Sequence, residues 1–326
     1  MNSRRRVALV FPGQGSQAVG MGRAVHDASS EARAIFDRAD RALGFSISRA
    51  CFEGSDEALN LTATTQPAIL TTSLALLAAL RAAYPGLLRE STAAAAGHSL
   101  GEYSALAAAG VIDLEGAVRT VRRRGGYMQD AVPVGAGAMA AVLGTGLDEV
   151  EALCPDAAEG EVLAPANLNA PDQTVVAGTA AAVDRLAALA RSRGVRKVVR
   201  LQVSAPFHCA LMQTARERLA RDLAALAFRD AALPVIPNVT ATPETEAGVL
   251  REALIRQVTL PVRWVETVRR MREMGIDTLI EIGPGRVLTG LARRIDPELR
   301  LLNVEDPASL EATATALVRT HQRGRA

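Results

Sequence analysis

Thr92-Ala93-Ala94-Ala95-Ala96-Gly97-His98-Ser99-Leu100-Gly101 joins a run of small, strand-compatible residues to a serine with a glycine two positions to either side. Leu100 to Ala109 continues in a helical pattern, so Ser99 falls on a strand-to-helix turn, the context in which G-x-S-x-G reads as a nucleophile elbow. Such a turn is strained, and the two glycines let neighbouring backbone approach the serine closely. The helix that follows presents its N-terminal amides to the same place, where the Leu100 N–H can stabilise an oxyanion. In a chain rich in glycine and alanine the pattern also arises by chance. The strand before it and the helix after it favour chemistry.

Upstream, Val7 to Phe11 reads as a short buried strand stopped by Pro12-Gly13. The loop Gln14-Gly15-Ser16-Gln17 follows, then a helical pattern from Val19 to Leu43. Ala68 to Ala83 is apolar all round, as a helix buried inside a domain would be. Leu114 to Met128 is another helix, closed by Val132-Pro133. Near Pro133 the texture changes. Ala138 to Leu143, Thr174 to Ala177 and Lys197 to Val203 read as strands, with helices at Leu147 to Leu153 and Ala180 to Arg193. That is the size of a small α+β insert. From Pro206 the longer pattern returns, with helices at Leu211 to Leu226 and Val262 to Met274 and strands at Pro234 to Asn238 and Thr278 to Ile282. A C-terminal helix is expected at Leu310 to Arg319. The reading is an α/β core in two parts, residues 1–132 and 204–326, interrupted by an insert at 133–203.

The 326 residues suffice for about two domains. Lys and Arg total 37 against 35 Asp and Glu, a net charge of +2, which argues against a protein built to neutralise nucleic-acid phosphates. Abundant alanine and only 3% aromatic residues suit a helix-rich α/β protein better than a β-sandwich. The longest apolar stretch, Ala68 to Leu80, lies between Pro67 and Arg81 and falls short of the ~20 residues a spanning helix needs. The apolar run after Arg4-Arg5-Arg6 is too short for a signal peptide. Cys51, Cys154 and Cys209 are far apart and in no CxxC pattern, so neither a disulfide framework nor a metal site is indicated. A cytoplasmic protein with no membrane partner is expected.

A nucleophilic serine needs a base, and the chain has four histidines. His26 and His321 lie in polar helical surroundings and are expected in solvent. His98 adjoins Ser99, but neighbours in a sharp turn point in different directions, which suits packing or hydrogen bonding better. His208, in Ser204-Ala205-Pro206-Phe207-His208-Cys209, sits where the insert rejoins the core, and catalytic groups favour such border loops. A lone histidine is more often structural; elimination of the other three makes His208 the candidate base. Cys209 is a rival nucleophile in principle. Nothing marks it as a thiol of lowered pKa, and it reads as a small buried hydrophobe.

Phe11-Pro12-Gly13-Gln14-Gly15-Ser16-Gln17 together with Gly97-His98-Ser99-Leu100-Gly101-Glu102-Tyr103 resembles the malonyl-CoA:acyl-carrier-protein transacylase family, which includes the acyltransferases of fatty-acid and polyketide synthesis. Arg124-Gly125-Gly126-Tyr127-Met128-Gln129, Ala205-Pro206-Phe207-His208-Cys209, Arg256-Gln257 and Glu281-Ile282-Gly283-Pro284-Gly285 agree in order and spacing, from Val7 to Glu305. The resemblance implies a hydrolase-like α/β core with a parallel sheet and a ferredoxin-like insert. It implies Ser99 as nucleophile and His208 as base, the base oriented by a main-chain or amide oxygen at Gln257 rather than by an acid. It implies an oxyanion hole from the backbone N–H groups of Gln14 and Leu100; without it, Gln14 would be an unassigned turn residue. Arg124 matches the arginine that binds the free malonyl carboxylate, a task suited to a planar guanidinium. Read alone, it ends the run Arg122-Arg123-Arg124, and charge runs usually form solvated faces. Met128, one turn later, lines the acyl pocket in this reading or is an ordinary core methionine. Phe207 before the base and Leu100 after the serine imply a preference for malonyl over methylmalonyl, worth ~1–3 kcal/mol.

The implied reaction is ping-pong transfer from malonyl-CoA to the phosphopantetheine thiol of an acyl carrier protein through a malonyl-serine ester. No metal or redox cofactor is implied, and a monomer is expected. The shared motifs leave fatty-acid and polyketide synthesis open. Two rivals differ in class. A proofreading acyl hydrolase also uses serine and histidine but typically lacks the carboxylate-binding arginine. A non-catalytic docking module has no need of an intact Ser99 and His208. Arg185, Arg191, Arg193, Arg196, Lys197 and Arg200 fall in a stretch without an acid. That face either attracts an acidic carrier or the CoA phosphates or is simply solvated.

Overall fold

Val7–Phe11 is apolar at every position and buried throughout, as the central strand of a parallel sheet covered on both faces must be. The computed structural model describes residues 6–89 and 91–323. The first part of the chain runs β1 (Val7–Phe11), α1 (Arg23–Ala28), α2 (Ser30–Leu43), α3 (Ile47–Glu53), α4 (Asp56–Asn60), α5 (Thr62–Ala83), β2 (Thr92–Gly97), α6 (Gly101–Ala108) and α7 (Leu114–Asp130). Next come β3 (Gly137–Leu143), α8 (Leu147–Ala158), β4 (Leu163–Ala170), β5 (Gln173–Thr179), α9 (Ala180–Ser192) and β6 (Lys197–Arg200). The remainder is α10 (Gln213–Ala225), β7 (Val235–Ile236), α11 (Ala247–Gln257), α12 (Trp264–Glu273), β8 (Thr278–Ile282), α13 (Val287–Ile295), β9 (Arg300–Val304) and α14 (Pro307–Arg323).

Five strands form a parallel sheet in the order β7-β2-β1-β8-β9. Alternate residues of β1 divide between its faces: Val7, Leu9 and Phe11 join the large core containing α5 and α7, while Ala8 and Val10 pack with Trp264, Val268 and Leu288. This is the hydrolase-like α/β core. Between its halves β3 to β6 make an antiparallel sheet in the order β4-β5-β3-β6, with α8 and α9 packed together on it. The order β-α-β-β-α-β and this pairing are ferredoxin-like. The insert is tied to the core where Leu168 N–H donates to the Val262 carbonyl and Val262 N–H to the Ala166 carbonyl, at 2.8 and 2.9 Å.

The sequence reading missed strand β4 and so counted three strands here. Pro165 and two asparagines make a poor strand pattern, and β4 tolerates them because it is an edge strand whose register shifts near both Pro165 and Leu168. It also missed β9, the opposite edge of the parallel sheet, and extended β6 to Val203, whereas pairing stops at Arg200. The expected helix from Val19 to Leu43 is two helices. Ser29 between them is extended, and its hydroxyl accepts from the Ala32 N–H at 3.2 Å, capping α2. Pro67 does not end the apolar helix, which begins at Thr62. At 22 residues α5 is long and apolar enough to cross a membrane, contrary to the expectation, but 83% of its most apolar window is buried inside the protein. The side chain of His321, with Arg4 and Arg5, lies outside the described residues. His26 is not in open solvent: it meets Phe36 and Phe52 edge-on, with ring centres 5.8 and 5.1 Å away.

Ligands of open parallel sheets bind beyond the carboxyl ends of the strands, and here the loops after β1, β2 and β7 meet there. The crossing is tight. A Cβ added at Gly97 would come within 1.9 Å of the Gly101 carbonyl, and one added at Gly101 within 2.0 Å of the Phe11 oxygen. Both obstacles are backbone and cannot step aside. Gly101→Ala is therefore expected to lower the unfolding free energy by at least ~2 kcal/mol in urea titration. An unchanged urea midpoint would show that the elbow can relax away from β1.

Candidate active site

Ser99 has a φ of 51°, a left-handed conformation that a serine adopts only when its surroundings enforce it. Two contacts enforce it here. Its backbone N–H donates to Asn238 Oδ1 at 2.7 Å, and Asn238 Nδ2 in turn donates to the Gly97 carbonyl at 2.6 Å. Asn238 thus splints the turn from the end of β7. Ser99 Oγ then lies 2.8 Å from His208 Nε2. His208 also has a positive φ, 60°, and its Nδ1 lies 2.8 Å from the main-chain oxygen of Gln257 at the end of α11. With Nδ1–H donating to that carbonyl, Nε2 is left as the acceptor facing the serine.

Arg124 joins the pair from α7. The residue is 2% exposed. Nη2 donates to Ser99 Oγ at 3.1 Å and to Gln257 Oε1 at 2.9 Å, and Nη1 donates to Gln66 Oε1 at 2.8 Å. The Tyr103 ring lies 5.6 Å from its Cζ. Its two neighbours take the other faces of the helix. Arg122 sits 5.1 Å over the Phe45 ring, and Arg123 pairs with Asp222 at the surface. A run of three arginines therefore contains one buried cation. Burial, and next the Arg124 charge, push the His208 imidazole down to about 3, so it stays neutral over the ordinary pH range. Neutral is the form a general base needs.

Ser99, His208 and Arg124 open on one cavity of about 290 Å³, lined also by Gln14, Leu100, Met128 and Phe207. Every site residue expected from the sequence is in this cavity or, for Gln257, directly behind it. Among the described residues no hydrogen bond occupies the backbone N–H of Gln14 or of Leu100. Leu100 opens the first turn leading into α6, where the helix dipole favours negative charge. Met128 is 1% exposed, with Gln66 Nε2 3.8 Å from its sulfur. His98 does not face the nucleophile's oxygen; its Nε2 is 2.8 Å from Asn169 Oδ1, and its ring tilts against Trp264. Cys209 is buried, and its burial pushes the thiol up to about 11, which removes it as a competing nucleophile.

Three residues in the network had no assigned role in the sequence. Gln66 follows Thr62-Ala63-Thr64-Thr65 and precedes Pro67, outside the apolar run, so no local signal marks it; it is buried because α5 begins at Thr62. Asn238 stands at the carboxyl end of a parallel strand, the place where such sheets keep their functional groups. Glu102 lies within the elbow motif itself. Its Oε2 accepts from the Asn238 N–H at 2.9 Å and from Gln257 Nε2 at 2.8 Å. The glutamate of the Glu281 motif is structural: its carboxylate accepts from the Leu288 and Thr289 N–H groups and caps α13.

Comparison with known proteins agrees with this arrangement. Residues 8–306 match the acyl transferase domain family. The malonyl CoA-acyl carrier protein transacylase of Bacillus subtilis (strain 168) is 43% identical over 313 residues, covering 96% of this chain and 97% of that protein. The malonyl CoA-acyl carrier protein transacylase structure from Coxiella burnetii superposes with a TM-score of 0.93 at 41% identity, covering 96% and 98% of the two chains. A malonyl-transacylase solved in complex with a type II PKS acyl-carrier protein superposes at 0.90 with 41% identity, over 95% and 99%. With its serine, histidine and buried arginine around one cavity, the chain belongs to this acyl transferase family, among the malonyl CoA-acyl carrier protein transacylases.

Proposed function

We infer that the protein carries a malonyl group from malonyl-CoA to the phosphopantetheine thiol of an acyl carrier protein through an ester on Ser99. The observation that carries this reading is the position of Ser99 Oγ, 2.8 Å from a neutral histidine and 3.1 Å from a buried arginine. His208 Nε2 takes the hydroxyl proton as Oγ attacks the thioester carbonyl. The backbone N–H groups of Gln14 and Leu100 receive the developing oxyanion. The C–S bond breaks, and the CoA thiolate leaves with the proton from His208. The carrier thiol then gives its proton to His208 and attacks the ester carbonyl; the C–O bond breaks, and Ser99 Oγ takes the proton back from His208. The thioester supplies the activation, so the reaction calls on no metal or redox cofactor. Gln257, through its main-chain oxygen, fixes the His208 tautomer in place of an acid. Met128 and Phe207 shape the acyl end of the cavity, and Phe207 with Leu100 favours malonyl over its methylated analogue.

Arg124 separates the transferase from the proofreading-hydrolase reading. Malonyl differs from acetyl chiefly by a carboxylate, and a buried guanidinium beside the nucleophile is a receptor for that group. A charge-assisted hydrogen bond contributes ~1.5–3 kcal/mol. The proposed location is the cytoplasm, where three free cysteines stay reduced, and the proposed state is a monomer. Of the six basic residues proposed to face the carrier, Arg185 is engaged by Glu159 and Glu161, Arg193 by Asp156 and Arg200 by Asp184. The absence of acids along the sequence did not extend to three dimensions. Arg191, Arg196 and Lys197 are exposed and remain the cations for an acidic partner.

Ser99→Ala should abolish the covalent malonyl adduct seen by mass spectrometry of intact protein after mixing with malonyl-CoA. His208→Ala should slow transfer by ~10²–10⁴-fold. An adduct that persists in Ser99→Ala would move the nucleophile elsewhere.

Arg124→Ala should lower kcat/KM for malonyl-CoA by about tenfold to hundredfold while sparing or raising acetyl transfer. Arg124→Lys should recover only part of the loss, because an ammonium lacks the planar fork. Equal losses for the two esters would make the arginine structural and leave the substrate's carboxylate unread.

A further inference from the structure

Glu102 has no part in the chemistry above, yet it lies at its centre. It stands in the first turn of α6, three residues after the nucleophile, and is 1% exposed. Oε2 accepts two hydrogen bonds, from the Asn238 N–H and Gln257 Nε2. Oε1 is buried with no hydrogen-bond partner among the described residues. A buried carboxylate with one oxygen unsatisfied is costly, and a surrounding that keeps it must require an acceptor at that point. Burial, opposed by the Asn238 N–H, Gln257 and the Arg124 charge, raises the group to about 7.

The recipient that matters is the side-chain amide of Gln257. Its Nε2 donates to Glu102 Oε2 at 2.8 Å and to the Ser99 carbonyl at 2.9 Å, while its Oε1 accepts from Arg124 Nη2 at 2.9 Å. An amide has one donor end and one acceptor end. Acceptors grouped around Nε2 are what turn Oε1 toward the guanidinium; the reverse orientation would set an NH₂ against a cation. The histidine is held differently, by the main-chain oxygen of Gln257, which does not move when the amide turns. Glu102 therefore acts on the arginine's arm of the network and leaves the base's arm alone.

We propose that Glu102 is a positioning residue for substrate selection, holding the Gln257 amide so that Arg124 stays aimed at the acyl pocket. This rests on the malonyl-transfer reading given above. The role belongs to the acceptor oxygen and its reach, not to the charge, and that difference is testable. Glu102→Gln keeps an oxygen where Oε2 stands. Glu102→Asp keeps the charge but withdraws the oxygen by one methylene. Glu102→Leu removes both.

Initial rates with malonyl-CoA and acetyl-CoA on the same preparation give a ratio of kcat/KM values that is independent of the folded fraction. Glu102→Asp and Glu102→Leu should each lower the malonyl-to-acetyl ratio by about tenfold or more, mainly through KM for malonyl-CoA. Glu102→Gln should hold the ratio within about threefold of the parent. Should the leucine variant not fold, the aspartate and glutamine variants decide between reach and charge by themselves. A ratio that falls in Glu102→Gln but not in Glu102→Asp overturns the proposal, as does a proportional loss of both esters, which would place the effect on the elbow through Asn238. Absence of a malonyl-Ser99 adduct in the parent protein would instead sink the malonyl-transfer reading itself.

Discussion

A guanidinium removed from water must be given back its hydrogen bonds, and the polar network around the elbow serine is built on that demand. Arg124 draws one acceptor from α5 (Gln66), one from α11 (Gln257) and one from the elbow itself (Ser99). These elements are far apart in sequence. The arginine thereby fastens the first part of the core to the last, across the inserted sheet. Burial works against its charge, and Tyr103 and Glu102 support it. In such surroundings an unpaired cation is worth far more to an incoming carboxylate than the same group at the surface would be.

The same charge shapes the base. His208 is surrounded by protein and faces Arg124 across the serine, so both desolvation and repulsion disfavour the imidazolium. A serine hydrolase of the familiar kind counters this with a buried acid behind the histidine. Here the main-chain carbonyl of Gln257 stands there. A carbonyl fixes the tautomer without adding a charge, and a negative group at that place would compete with the substrate's carboxylate for the field of Arg124. The absence of an acid behind the base and the presence of a cation beside the nucleophile are two sides of one arrangement.

The sequence carried the parts of this fold that depend on local pattern. β1, β2, β8, the elbow and the helices α5 and α7 are strongly apolar or strongly patterned, and the strand-to-helix context of Gly97-His98-Ser99-Leu100-Gly101 by itself points to the serine. What stayed hidden depends on pairing. β4 and β9 are edge strands of poor intrinsic preference that exist because a neighbour pairs with them. The network residues Gln66, Asn238 and Glu102 come from three elements, and nothing in their local sequence says that they converge. Three cations of the basic stretch from α9 to β6 are paired for the same reason: Arg185 and Arg193 meet Asp156, Glu159 and Glu161 of α8 and the turn after it, and Arg200 meets Asp184 of α9.

Arg124 and His208 reach the nucleophile through the same atom. Ser99 Oγ accepts from Arg124 Nη2 while lying within hydrogen-bond reach of His208 Nε2. A hydroxyl has one proton to give and lone pairs to receive with, so the oxygen satisfies both neighbours only if its proton points at the histidine. The arginine thus holds the hydroxyl in the rotamer from which the base can take the proton. A carboxylate bound to the guanidinium would reduce the positive field on His208 and make the imidazole a better base at the moment the correct acyl group is present. A neutral acyl chain brings no such relief. In the proposed transfer the geometry would therefore tie recognition to reactivity at one atom, so that discrimination would not rest on binding alone.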